Sequence, residues 1–235
     1  MKLYFACTNR EQIEFVIGQG GKNILFSYAY LKDCSFLKKY KGLNILVDSG
    51  AFTAWTKDKQ VDIDEYIEYI EKQIRPIEKC HNVNIINLDV IPGSFGNRPT
   101  REQIGESAKQ GMKNYLYMKS KGIETIHTYH MYESKEVLDE IKKHCSYIGI
   151  SPANDASVKA RIEWLKGVYY DLRIDYKTHI LGFTAKSMLE VIPVYSCDSV
   201  EWQTGAMFGN ALNVKGKLEK FITERGEKER SQTAL

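Results

Sequence analysis

Short apolar runs recur along the chain, and eight of them have the length and composition of β-strands. They are Leu3–Cys7, Asn23–Tyr28, Asn44–Asp48, Asn84–Asp89, Thr125–His130, Tyr147–Ser151, Thr178–Thr184 and Val194–Asp198. Most are dense in Ile, Leu, Val, Tyr and Phe, without a clean polar alternation. Near-continuous apolar runs suit parallel strands that are buried on both faces. Between the runs the period lengthens to that of a helix. Over 62–80, Ile63, Tyr66, Ile67, Ile70, Ile74 and Ile77 share one face, with Glu65, Glu68 and Glu71 outside it. Val158, Ile162, Leu165, Tyr169 and Leu172 form a second stripe, behind the capping candidates Asn154 and Asp155. The segment 100–121 also reads as a helix.

Strand and helix alternating about eight times predicts a parallel α/β fold. Eight strands favour closure into a single (β/α)8 TIM barrel over an open, doubly wound sheet. A length of 235 residues suits one such barrel, which is built from roughly 200–250 residues. The barrel is expected over 1–212. A charged C-terminal helix or tail follows over 213–235, with six Lys/Arg and four Glu. Its simplest reading is a solvated, fraying end rather than a nucleic-acid contact.

Composition narrows the function classes. Hydrophobic residues make up 43% of the chain, enough for one sizeable core, and the net charge is +3. That charge permits a nucleic-acid partner without requiring one. The five cysteines (Cys7, Cys34, Cys80, Cys145 and Cys197) are far apart, with no C-x-C or C-x-x-C pair. This argues against structural zinc and a disulfide framework, and fits a reducing cytoplasm. No run has the length of a signal peptide's apolar region or a membrane span, so a cytoplasmic protein without a membrane partner is expected.

In a barrel of this kind, active sites form at the C-terminal ends of the strands. Three carboxylates fall there: Asp48 after the third run, Asp89 after the fourth and Asp198 after the eighth. A lone Asp at such a place is as readily a helix cap or turn former. Three like charges gathered at one mouth are costly, and such clusters usually exist because chemistry uses them. His127 and His130 end the fifth run, and strand alternation sends them to opposite faces. His130, nearer the end, is the candidate site residue. His81, His144 and His179 are expected near helix ends or strand starts, away from the mouth. Gly18-Gln19-Gly20-Gly21-Lys22 follows a helix and leads into a strand, so it reads as a helix stop rather than a phosphate loop. Cys197 points away from Asp198 and reads as a core thiol. Phe52, Trp55 and Trp202 are candidates for stacking on a base, with Phe52 and Trp202 lying just past the strand ends.

At these positions the sequence resembles the tRNA-guanine transglycosylase superfamily. Asp48-Ser49-Gly50-Ala51-Phe52 is similar to that family's D-S-G-G-[FY] motif, and Leu88-Asp89, Ile148-Gly149-Ile150, Leu181-Gly182 and Cys197-Asp198 follow in the family's order. The nearer resemblance is to the small 7-deazaguanine DNA transglycosylases, many of them phage-encoded. It is carried by D-S-G-A-F-T, N-L-D-V-I, I-G-I-S-P and Y-S-x-D-S-x-x-W, over roughly 3–209. The resemblance implies Asp198 as nucleophile on C1′ and Asp48 as general acid/base. Asp89 would read the guanine edge, Phe52 would stack on the base, and Gly149 and Gly182 would allow close backbone approach. His130 is the further base-binding candidate.

The tRNA enzymes carry a C-x-C-x-x-C…H zinc site, whereas no cysteine follows Cys197 here. That shifts the expected partner from tRNA to DNA, with a 7-deazaguanine base such as 7-cyano-7-deazaguanine as co-substrate. Neither metal nor organic cofactor is expected. The other readings are a tRNA-guanine transglycosylase without its zinc module, a hydrolytic nucleic-acid glycosylase, and an inactive nucleic-acid-binding barrel. Ser199-Val200-Glu201-Trp202 departs from the Ser-Thr-Ser-Trp commoner in the family, which touches detail rather than role.

Overall fold

A computed structural model describes residues 1–94, 96–172, 175–200, 202, 210–212 and 218–220. All eight apolar runs form strands: β1 Lys2–Cys7, β2 Asn23–Ser27, β3 Asn44–Asp48, β4 Asn82–Ile85, β5 His127–His130, β6 Tyr147–Ser151, β7 Lys177–Ile180 and β8 Ser196–Ser199. They pair in parallel in the order β4-β3-β2-β1-β8-β7-β6-β5. The two outer strands of that order meet at one parallel bridge, Ile86 with Ile126. There Asn87 N donates to Ile126 O (2.9 Å) and Ile126 N to Ile85 O (2.7 Å). The result is a curled, eight-stranded, broadly TIM-barrel-like sheet.

Period-2 alternation sorts the strand residues into two layers. Tyr4, Ala6, Leu25, Leu46, Ile86 and Ile126 pack together inside the curl. Their neighbours in sequence face the helices. Ile24, Phe26, Ile45 and Val47 meet Tyr66, Ile70, Ile74 and Ile77, and Ile148, Ile150, Ile180 and Cys197 meet Leu138, Ile141, Leu165 and Leu172. Apolar demand on both faces explains why the runs lack polar alternation. Cys197 is fully buried in the outer layer, and burial pushes its thiol up to about 11.

The segment 62–80 is helical but not one regular helix. Asp62 caps it, accepting from Asp64 N and Glu65 N, and α-helix Ile63–Tyr69 gives way to π-helix Ile70–Ile74 before α-helix Arg75–Glu78. Pro76 has no N–H and its ring crowds the preceding turn, which accounts for the widened turn just before it. Helix Arg101–Ser120 starts at a reciprocal Thr100–Gln103 capping box. Helix Val158–Leu172 is headed by Ser157, whose Oγ accepts from Ala160 N at 3.2 Å, and not by Asn154 or Asp155. Gly18 ends a helix and Gly20 turns at φ +83° before β2. The tail expected over 213–235 lies outside the described residues, except Leu218–Lys220, which pairs antiparallel with Asn210–Leu212. Among the described residues no helix is long and apolar enough to cross a membrane.

Candidate functional site at the strand ends

Asp48 is the last residue of β3, and Gly50 turns the chain behind it at φ +81°. A Cβ at Gly50 would come within 2.8 Å of Ala29 Cβ, so only glycine fits this turn. The turn brings Gly50 N back to donate to Asp48 Oδ2 at 3.0 Å. Burial and then the neighbouring Asp89 raise the Asp48 carboxyl to about 6; Asp198 adds to this, against donors from Ser27 and Gly50. An acid poised there can both give and take a proton near neutral pH.

Asp198 sits on β8, buried at 7% exposure. Two donors converge on one of its oxygens: Gly182 N stands 2.8 Å and His179 Nε2 3.1 Å from Oδ1. The Gly182 N–H is therefore directed at the carboxylate, in a left-handed turn of φ +59°. His179 corrects an expectation. β7 begins at Lys177, so His179 is its third residue, fully buried and facing Asp198. Its Nδ1 lies 2.8 Å from Ser196 Oγ, which Tyr147 OH approaches to 2.6 Å.

Asp89 lies just past β4, where the chain leaves the ladder. His130 Nε2 is 2.8 Å from its Oδ2. Among the described residues Nε2 meets no partner in hydrogen-bond alignment. Burial opposes a proton on His130, but Asp89 and then Glu133 outweigh it and raise its pKa. Glu133 had no signal in the sequence. Its Oε2 accepts from His130 N at 2.8 Å, and burial raises its own pKa. His127 turns outward instead. Asn87 Nδ2 lies 3.0 Å from its Nδ1, and burial lowers its pKa to about 4.

A cavity of about 280 Å³ opens beside His130, the partner of Asp89, and is lined by Phe52, Trp55, Pro92, Tyr132 and Pro152 among others. Phe52 is 46% exposed, which leaves its ring open to a ligand. Trp55 is fixed by its Nε1 donating to Gly93 O at 2.8 Å. Tyr132 holds φ +83°, a strained value for a residue with a side chain, and Arg98 lies 5.2 Å from its ring centre. Trp202 does not join this group. Its Nε1 donates to Ala6 O at 3.1 Å and its ring packs against Phe5 and Phe15, in the layer outside the sheet. Gly149 faces Thr128, whose Oγ1 a Cβ would meet at 3.0 Å. That glycine therefore serves strand packing, beside a Thr128 hydroxyl with no partner among the described residues.

A second hollow, about 320 Å³, opens at the other end of the β4–β5 seam around Val83, Thr125 and Tyr147. It opens where β5 and β6 begin, whereas the first cavity is lined by His130, the partner of Asp89, so the mouth is the candidate site. Among the described residues, no three His, Cys, Asp or Glu side chains are grouped to hold a metal ion. No family model matches the chain, and no curated protein matches it.

Proposed function

We propose that this protein is a DNA-modifying transglycosylase, which exchanges guanine for a 7-deazaguanine base through a covalent glycosyl-aspartate. The observation that carries the reading is the division of labour among three carboxylates at one sheet mouth. Asp198 has one oxygen engaged by two N–H donors, Asp48 is raised to about 6, and Asp89 meets His130, which lines an aromatic-walled cavity.

Exchange with retained configuration needs two successive inversions at C1′, the carboxylate attacking the sugar face opposite the departing base and the incoming base the face opposite the carboxylate. In the first, an Asp198 oxygen forms a bond to C1′ as the C1′–N9 bond breaks. The electron pair leaves with guanine, which takes a proton from Asp48. In the second, Asp48 removes a proton from the incoming 7-deazaguanine, whose N9 attacks C1′ and returns the pair to Asp198. Asp89 accepts from the N1–H and exocyclic amine of either base, a donor pair that adenine lacks. Phe52 stacks on the base. In a duplex the nucleotide is first flipped out, at a cost of a few kcal/mol. We read the β4–β5 bridge as closure of a (β/α)8 barrel around this site.

The test incubates the protein with DNA or tRNA and an isotope-labelled 7-deazaguanine, then weighs the nucleosides after digestion. Label is expected in DNA, and its loss is expected in Asp198→Ala. Label in tRNA alone would replace DNA as the polymer. Release of guanine without incorporation would make the protein a hydrolase, and inertness would leave a binding module.

A further inference from the structure

We infer that His179 is a positioning residue for Asp198: together with Gly182 it fixes Oδ1, so that Oδ2 is the oxygen that attacks, and its tautomer is set from below by Tyr147 and Ser196. The inference rests on the glycosyl-aspartate reading for its consequence, but its geometry stands alone. Both N–H contacts to Asp198 fall on Oδ1, at 2.8 Å from Gly182 N and 3.1 Å from His179 Nε2. Among the described residues, Oδ2 takes no hydrogen bond. The His179 ring is fully buried, and the Tyr4 ring meets it edge-on at 5.7 Å and 84°, so it has no room to swing.

The contact of Nε2 with a carboxylate oxygen sets the direction of the protons on this chain. Ser196 Oγ has a single proton and lies near three groups: His179 Nδ1 at 2.8 Å, Tyr147 OH at 2.6 Å and Thr178 O at 3.4 Å. Tyr147 OH donates to Ser196 Oγ, and Ser196 donates to Nδ1 at the shorter of its two remaining contacts. The imidazole proton is then on Nε2, aimed at Asp198. The opposite tautomer would set the Nε2 lone pair against a carboxylate oxygen, with repulsion undiminished by solvent.

The same donors serve both displacements. When Oδ2 bonds to C1′, Oδ1 becomes the carbonyl oxygen of the ester and still accepts both N–H groups. When the incoming base attacks, negative charge returns to the carboxylate, which the donors stabilise as leaving group. No proton passes through His179 in either step.

Two measurements test this. In ¹⁵N-histidine NMR of the full-length protein, the signals absent from His179→Gln belong to His179. They are expected to show a proton on Nε2 with Nδ1 as acceptor, and Ser196→Ala is expected to shift the Nδ1 resonance. A proton on Nδ1 overturns the inference, whatever the substrate proves to be. In base exchange, His179→Leu is expected to lower kcat by roughly 10²-fold, the size seen when one preorganised donor is removed. KM for the incoming base should stay within about twofold of wild type, since the base does not touch His179. His179→Gln, which keeps an N–H in reach, should recover about tenfold of that loss. A folded His179→Leu protein exchanging at the wild-type rate overturns the inference while leaving the transglycosylase reading intact. If the wild type exchanges no base, that reading falls and the NMR result alone decides the tautomer. Should His179→Leu fail to fold, Ser196→Ala gives the kinetic comparison, with a fall in kcat expected and an unchanged kcat counting against the inference.

Discussion

Two aspartate–histidine pairs face one another across the sheet mouth, and they are built differently. Asp198 with His179 spans β8 and β7, while Asp89 with His130 spans the β4–β5 seam. Burial does not separate them: the aspartate side chains are 9% and 12% exposed and the histidines 0% and 8%. Hydrogen bonding does. Both ring nitrogens of His179 meet partners, at 3.1 Å and 2.8 Å. Among the described residues, His130 Nε2 has Asp89 beside it but no aligned acceptor, and Thr128 Oγ1 nearby on the same strand has no partner. Unmet buried polar atoms are costly; these two share one face of β5, and His130 lines the aromatic cavity. The first pair is complete and holds its carboxylate still. The second is incomplete, and under the proposed function the incoming base would finish it.

The sharpest way to break this contrast is to remove the Asp48 carboxyl, which the charge of Asp89 helps to raise. Asp48→Asn should lower exchange by about 10³-fold, the range for loss of a general acid/base. The same variant should be more stable at pH 7. The native Asp48 carboxyl is raised to about 6, so between its ordinary range and that value the folded state binds more protons than the unfolded one. Wild-type stability therefore falls as pH rises through this window, by an order of 1–3 kcal/mol. Urea unfolding at pH 4 and pH 7 should show the gain for Asp48→Asn only at pH 7; equal gains at both would refute the assignment.

Next in size, Asp89→Asn should weaken capture of the incoming base by roughly 10²-fold, since a buried donor on the base loses its anionic acceptor. Measured by fluorescence titration, Asp198→Asn should bind that base within a few-fold of wild type. If the two variants bind equally well, the division between holding and reading is wrong.

Tyr132→Gly should weaken base binding by about tenfold while raising stability by about 1 kcal/mol, because glycine relieves a positive φ. A fall in stability would make Tyr132 an ordinary packing residue. The smallest effect concerns pH. His130 is raised by Asp89 and Glu133 against its burial, so its ion pair is fully present below the ordinary histidine range. That contribution is lost as pH rises through the raised value. Glu133→Gln should move the His130 titration, followed by NMR, to lower pH; a midpoint left in place would remove Glu133 from the pair.

Much of the scaffold was legible because each strand carries its own apolar signature. All eight were visible, with ends misplaced by a few residues where pairing rather than composition decides. β4 leaves its ladder at Ile85, although the apolar run continues to Asp89. The three aspartates stood out because they follow buried runs. His179 did not, since its role comes from register: His179 is set beside Ser196 by the pairing of β7 with β8, which no local pattern records. Glu133 was silent for a similar reason, its carboxylate being turned back on His130 by the strained Tyr132. Trp202 misled because adjacency to Asp198 in sequence does not put it on the same side of the sheet. Asn154 and Asp155 are good capping types by chemistry, yet the backbone starts its helix behind Ser157.

The pairing of β8 with β1 has a bearing on how the protein comes into being. Strand β1 leaves the ribosome early and keeps an open edge until β8, the last of the eight, is synthesised. Asp48 and Asp89 can already be neighbours in such a nascent chain, but the third acid arrives only with the strand that covers that edge. The charge crowding at the mouth is thus deferred to the final docking event. A half-made chain carries two of the three acids and lacks the one proposed to attack the sugar.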